Sequence, residues 1–345
     1  GDPLEPGPSG MLSWDRDLGQ ISPSPDESDV VSVPESRGGS FSSDILSVED
    51  AVQWGDTWIV LDRRLGRIHF LDPGSERVGS VGREGPGPGE LQDPVALAVE
   101  DSVLWVLNRR GLELDRYSLG EGPSDTHFHS RRTLSGGGCL AGLTKALESL
   151  PGLGLAVLRI CPAALPGPGR AWVESVGEDG KLSPVLSLPL GSPGSRRLHL
   201  LRQPVLTAGD NHFFLGTWDA PCVAAFNEQG ILDNHRCLPE YERPRTPEEN
   251  RSVLERRLGW VSDLGFLPME IPSHLPWYDR VFATTRGLVF RRVRTESERD
   301  LVLVQPDGRT TFTSRWFPEN TFVGENGILM AEDLPQGTSI QIYPD

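Results

Sequence analysis

Several protein classes can be set aside from what this sequence lacks. It contains no run of 18 apolar residues, the length a helix needs to cross a bilayer, so it offers no transmembrane segment of its own. It opens on no charged-then-apolar leader, which an exported chain sheds before mature numbering begins. Lysine occurs only at Lys145 and Lys181, and 33 basic residues face 49 acids, for a net charge of −16. Such a field repels phosphate backbones, and nucleic-acid binding needs a basic footprint. No G-x-S-x-G, H-E-x-x-H or P-loop string occurs. Four cysteines form no C-x-x-C, which removes support for a zinc or thioredoxin-type site.

Turn formers, in contrast, are abundant: 39 glycines and 30 prolines. That suits a chain that reverses about every ten residues, as all-β proteins do. The acidity is uneven. Residues 1–50 hold eleven acids against Arg16 and Arg37, and the first 40 are poor in apolar residues and rich in Pro, Gly and Ser. Residues 1–40 are therefore read as an extended acidic arm, and 41–345 as the folded unit.

Within that unit one pattern recurs six times. An alternating strand leads to a polar turn, a nearly all-apolar strand, another turn and a third strand. The apolar strands read TWIVL from Thr57, VLWVL from Val103, LGLAVLRI, HFFLGTW, RVFATTRGLVFRR and NGILMAED. A strand apolar on both faces packs against a neighbour on each side. Six such units at blade-like spacing predict one all-β domain, a six-bladed β-propeller of four-stranded antiparallel blades. The sixth unit stops after three strands. A ring-closing fourth strand is expected from the N-terminal region, either Val30–Val33 or Phe41–Val48, within the span 30–48. Deleting 1–48 should then cost folding, and deleting 1–20 should not. Between the fourth and fifth units, Thr246, Pro247 and Glu249 form a helix start. Val253, Leu254 and Leu258 give it an apolar stripe and Gly259 a stop, so a short helical insertion is expected there.

Cys222 and Cys237 flank two short strands around a turn at Gln229–Gly230, which sets them opposite each other and suits a disulfide. Cys139 and Cys161 are left to pair by default, and such pairing places the chain in the periplasm or outside the cell. His127 and His129 share one strand face, but no third ligand accompanies them, and no metal or cofactor site is assigned. Arg63, Arg64, Arg109, Arg110 and Arg286 are read as lying in the turn after the apolar strand of their units, with Trp218 at the matching place in the fourth. On a propeller those turns share one face, and Arg with Trp is a binding-surface composition. Ordinary solvated turn arginines are the plain alternative.

The joint between the first two units, Val81 to Val99, reads VGREGPGPGELQDPVALAV. It resembles the NHL-type propeller repeat through Gly82, Gly85, Gly87, Gly89, Glu90, Leu91 and Pro94. The helical insertion is similar to a layout in bacterial six-bladed propellers related to that family. The resemblance implies a propeller fold and, for its enzymatic members, a metal in the central channel. With no catalytic set visible, the sequence favours a non-catalytic protein-binding scaffold. The expected form is an extrinsic periplasmic subunit of a larger membrane-associated complex, attached partly through its N-terminal arm. The alternatives are a metal-dependent hydrolase or lyase acting in the channel, and a sugar- or peptide-binding module.

Overall fold

A computed structural model describes residues 28–31, 45–72, 77–120, 122–138, 142–161, 169–190, 203–239, 276–294, 298–313, 317–334 and 337–344. Alternate residues of one strand show how the ring is held. The strand Thr57–Asp62 is buried from Trp58 onward. Its Trp58 and Val60 pack with Phe322, Leu329, Ala331 and Ile340 on one side. Its Ile59 and Leu61 pack with Leu97, Leu104 and Val106 on the other. Strand side chains point to opposite faces with period two, so a strand apolar at every position binds two neighbouring sheets at once. The next copy repeats the sorting. Leu104 and Val106 face back to the first sheet, while Trp105 and Leu107 join Leu147, Leu155 and Val157 of the third. Each such burial contributes roughly 1.5–3 kcal/mol.

Six sheets are assembled this way. Blades one, two and four have four strands each, running antiparallel from the channel outward. Blades three and five add a fifth strand, parallel, at their outer edge. The innermost strands are Val48–Trp54, Ala96–Glu100, Leu143–Leu150, Pro204–Ala208, Tyr278–Thr284 and Asn320–Gly324. Each touches the next, and the sixth touches the first, closing a six-bladed β-propeller as expected. The fifth buried strand is Gly287–Val293; the residues before it, read as part of the same run, form the innermost strand of that blade.

Closure departs from expectation in one respect. Blade six shows three strands among the described residues, Asn320–Gly324, Gly327–Leu334 and Gly337–Pro344. The N-terminal strand, Ser28–Val31, does not complete it; it pairs in parallel with Thr310–Thr313 on the outside of blade five. The outer edge of any blade presents unpaired backbone groups, so hydrophobic content alone does not say which edge a short strand will satisfy. Contact with blade six comes from Ile45, whose carbonyl accepts from the Thr338 N–H at 2.9 Å. Residues 32–44 lie outside the described residues, as does the expected helix at 246–259.

The joint resembling the NHL repeat folds into a compact hairpin-like connection. Gly85 donates to the Leu91 carbonyl, and Leu91 donates to that of Arg83. The Glu90 carboxylate accepts from the Gly87 N–H at 2.8 Å and from Arg83 at 2.7 Å, which holds it below the usual carboxylate range. Gly66 of the neighbouring turn has φ +58, and a Cβ there would sit 2.7 Å from the Glu84 Cα and the Leu91 carbonyl oxygen. Only glycine lets that turn lie so close to the joint.

Candidate functional site at the channel and its rim

Antiparallel order sorts the turns into two faces. Turns between second and third strands, with the connections between blades, lie at one face, here called the rim face. Turns between first and second strands lie at the other. Arg63 and Arg64 follow the second strand of blade one, Arg109 and Arg110 that of blade two, and Trp218 that of blade four, so these five share the rim face. Arg286 does not. It sits between Tyr278–Thr284 and Gly287–Val293, a first-to-second turn on the opposite face. The run RVFATTRGLVFRR holds two strands and a turn, and sequence spacing did not reveal the reversal inside it.

Rim geometry is most developed over blades one and two. Arg63 pairs with Glu49 at 3.5 Å and with Asp93 at 3.6 Å, and Arg110 reaches the same Asp93 at 3.2 Å. Arg109 pairs with Glu113 at 2.7 Å. Asp93, Arg109 and Arg110 have φ of 50, 49 and 56, the left-handed region that costs a non-glycine residue roughly 1–2 kcal/mol. Neighbours hold them there. Arg109 and Arg110 N–H groups donate to the carbonyls of Gln92 and Asp93, and Asn108 Oδ1 accepts from both Gln92 and Arg109. Asn108 Nδ2 donates to buried Asp115, which also takes two bonds from Arg131 at 2.6 and 2.8 Å. The sequence reading missed Asn108, Asp115 and Arg131; an apolar strand ending in Asn with Asp seven residues on was the available signal. Among the described residues three large apolar side chains are exposed, and two of them, Leu46 (36%) and Leu112 (58%), stand on this rim.

The channel encloses about 1450 Å³. Its wall alternates. The innermost strands of blades one, three and five read VEDAVQW, LTKALESL and YDRVFAT, and each carries a bulge near its rim end, at Glu49, Lys145 and Asp279. Those of blades two, four and six read ALAVE, PVLTA and NTFVG; they pair without a bulge, and only Glu100 among them is charged. A bulge inserts an unpaired residue and re-aims its side chain, so charged ribs stand between apolar ones.

Each charged rib is differently compensated. Glu49 is pushed up by burial, an effect Arg63 opposes. Lys145 is exposed to the channel, but enclosure by the ring pushes it down to about 8, with Glu49 opposing and Arg63 adding to the shift. Burial also raises Asp279, but Arg291 and Arg299, each at 2.6 Å, outweigh it and hold the carboxyl low. Deeper in the channel, Asp50 accepts from the Leu97 N–H at 2.9 Å and pairs with Arg280 from the far side. Arg280 lies over the Phe322 ring at 4.6 Å. Glu148 keeps access to the channel water but is enclosed by the ring. Burial and the nearby Asp50 push it up to about 8, against Arg280 and the Ala208 N–H.

Disulfide pairing of Cys222 with Cys237 is as expected, and the two are cross-strand partners. Cys161 is disulfide-bonded as well, while Cys139 lies outside the described residues. His127 and His129 are exposed on the outer strand of blade two. Among the described residues no group of three or more His, Cys, Asp or Glu is placed to hold a metal ion.

Two solved structures share the architecture. A candidate exported protein from Bacteroides fragilis superposes with a TM-score of 0.53 at 11% identity, over 94% of this chain and 98% of that one. A member of the DUF4221 family from Bacteroides vulgatus gives 0.53 at 7% identity, over 92% and 99%. The chain has a six-bladed propeller fold. At these identities the likeness extends to fold alone. No family model matches the chain, and no curated protein matches it.

Proposed function

We propose that this propeller is a non-catalytic, protein-binding scaffold of an oxidising compartment, the periplasm or the extracellular space. In this reading it is an extrinsic subunit of a membrane-associated assembly, attached through its rim face and in part through its acidic N-terminal arm. The supporting observation is the pair Arg109–Arg110, held left-handed beside exposed Leu112, with exposed Leu46 on the same face. Backbone strain persists only where surroundings impose it, and it gathers at functional sites. Arginine next to exposed leucine is also the composition from which interface hot spots are drawn. Location is supported by the Cys222–Cys237 disulfide and by the exported Bacteroides fragilis neighbour. The joint at Gly82–Pro94 supports kinship with NHL-type propellers.

The test is co-migration of the full chain with its native membranes, comparing wild type with an Arg109→Ala/Arg110→Ala/Leu112→Ser variant. Wild type should migrate in a larger assembly, and the variant should be released while keeping its melting temperature within a few degrees. Wild type running as a lone monomer under every salt and detergent condition counts against the proposal.

A further inference from the structure

The innermost strands are edge strands. Each pairs on its outer side only, so its inward-facing backbone N–H and C=O groups line the channel. Side chains satisfy some of them, as Asp50 does for Leu97 and Thr207 does for Ala283 at 3.3 Å. What fits such a wall best is another polypeptide backbone, which brings matching donors and acceptors. The apolar ribs of blades two, four and six favour small aliphatic side chains in the same space.

Charge gives the ligand an orientation. Lys145 and Glu148 lie three residues apart on the innermost strand of blade three, roughly 10 Å before the bulge shortens the rise. Lys145 stands at the rim level with Arg63. Glu148 stands below it, facing Asp50 of blade one, Arg280 of blade five and the Ala208 N–H of blade four. The upper level thus holds Lys145 beside the Arg63–Glu49 pair, and the lower level holds Glu148 beside the Asp50–Arg280 pair, so Lys145 and Glu148 are the groups that face a ligand's two ends. Their spacing of three residues along an extended strand is that of the two ends of an extended tripeptide.

We infer that the channel is a binding site for short peptides with free termini, the carboxylate held at Lys145 and the ammonium held at Glu148. The site is distinct from the rim that is proposed to dock a protein partner, and neither depends on the other. Glu148 stays protonated up to about pH 8, because burial and Asp50 disfavour its charge. An arriving ammonium reverses that preference, so binding at pH 7 releases a proton to the buffer.

Titration calorimetry of the full chain with tri-alanine tests this, alongside N-acetyl-tri-alanine and tri-alanine amide as blocked probes. Tri-alanine should bind saturably at or below about 10 mM, and blocking either end should weaken binding about tenfold or more. Heat at pH 7 should depend on the ionisation enthalpy of the buffer. In Glu148→Gln acetylation should cease to matter, and in Lys145→Met amidation should cease to matter. Absence of saturable binding by tri-alanine, or equal binding of free and blocked probes, overturns the inference. The comparison of free and blocked probes uses wild type alone, so it stands even if a variant fails to fold.

Discussion

Asp50 on the innermost strand of blade one and Arg280 on that of blade five form an ion pair across the channel, 230 residues apart in sequence. Blade six lies between those two blades in the ring, so the pair ties together sheets that are not neighbours. Asp50 also accepts from Leu97 of blade two, which makes one carboxylate the meeting point of three blades.

Breaking that pair should loosen the ring. Arg280→Met leaves Asp50, which is 9% exposed at its side chain, without its cation. A fully buried pair would cost more; with Arg280 itself a third exposed, a loss of roughly 2 kcal/mol is expected. Urea unfolding of Arg280→Met, Asp50→Asn and the double variant checks it. The double variant should recover part of the loss, whereas strictly additive effects would argue that the two groups do not interact.

Strain at the rim makes a second expectation. Arg110→Gly removes a left-handed non-glycine residue, φ 56, and the gain is partly offset by the greater freedom of glycine when unfolded. Stability should rise by about 0.5–1 kcal/mol while co-migration with the assembly weakens. A protein that is destabilised by the change would show that the Arg110 pairing to Asp93 outweighs the backbone cost.

Removing the disulfide should be costly. Cys222 and Cys237 enclose a 15-residue separation on adjacent strands of blade four. Closing a loop of that size stabilises by about 3 kcal/mol in the chain-entropy account. Cys222→Ala/Cys237→Ala should therefore lower the denaturation midpoint markedly, and a reducing agent should lower that of wild type in the same direction.

Acidity should favour the fold through Glu148. Its folded value, about 8, lies above the ordinary carboxyl value of 4.5, so the native state holds a proton that the unfolded state releases. That linkage lowers stability as pH rises from about 4.5 to 8, with no further change above. The melting temperature of wild type should fall across that window more steeply than that of Glu148→Gln. Parallel curves for the two proteins would remove Glu148 as the cause.

How much of this was legible beforehand varies with the range of the interaction. The blade strands were readable because a strand packed on both faces is apolar through its middle, as in WIVL of blade one and VLWVL of blade two. The Cys222–Cys237 bond was readable because a tight turn fixes the register of the strands beside it. Arg286 was misplaced because RVFATTRGLVFRR contains a reversal at Thr285–Arg286 with no strong turn former ahead of Gly287.

The sequence by itself determined the ring, its six repeats, one disulfide and the acidic balance, since period-two patterning and turn chemistry are local properties. Tertiary structure alone decided which edge the strand Ser28–Val31 joins. It alone brought Asp50 to Arg280, set Lys145 and Glu148 opposite the acids of blade one, and imposed left-handed backbone on Arg109 and Arg110. Those outcomes depend on distances between residues far apart in the chain, and on burial that only the closed ring creates.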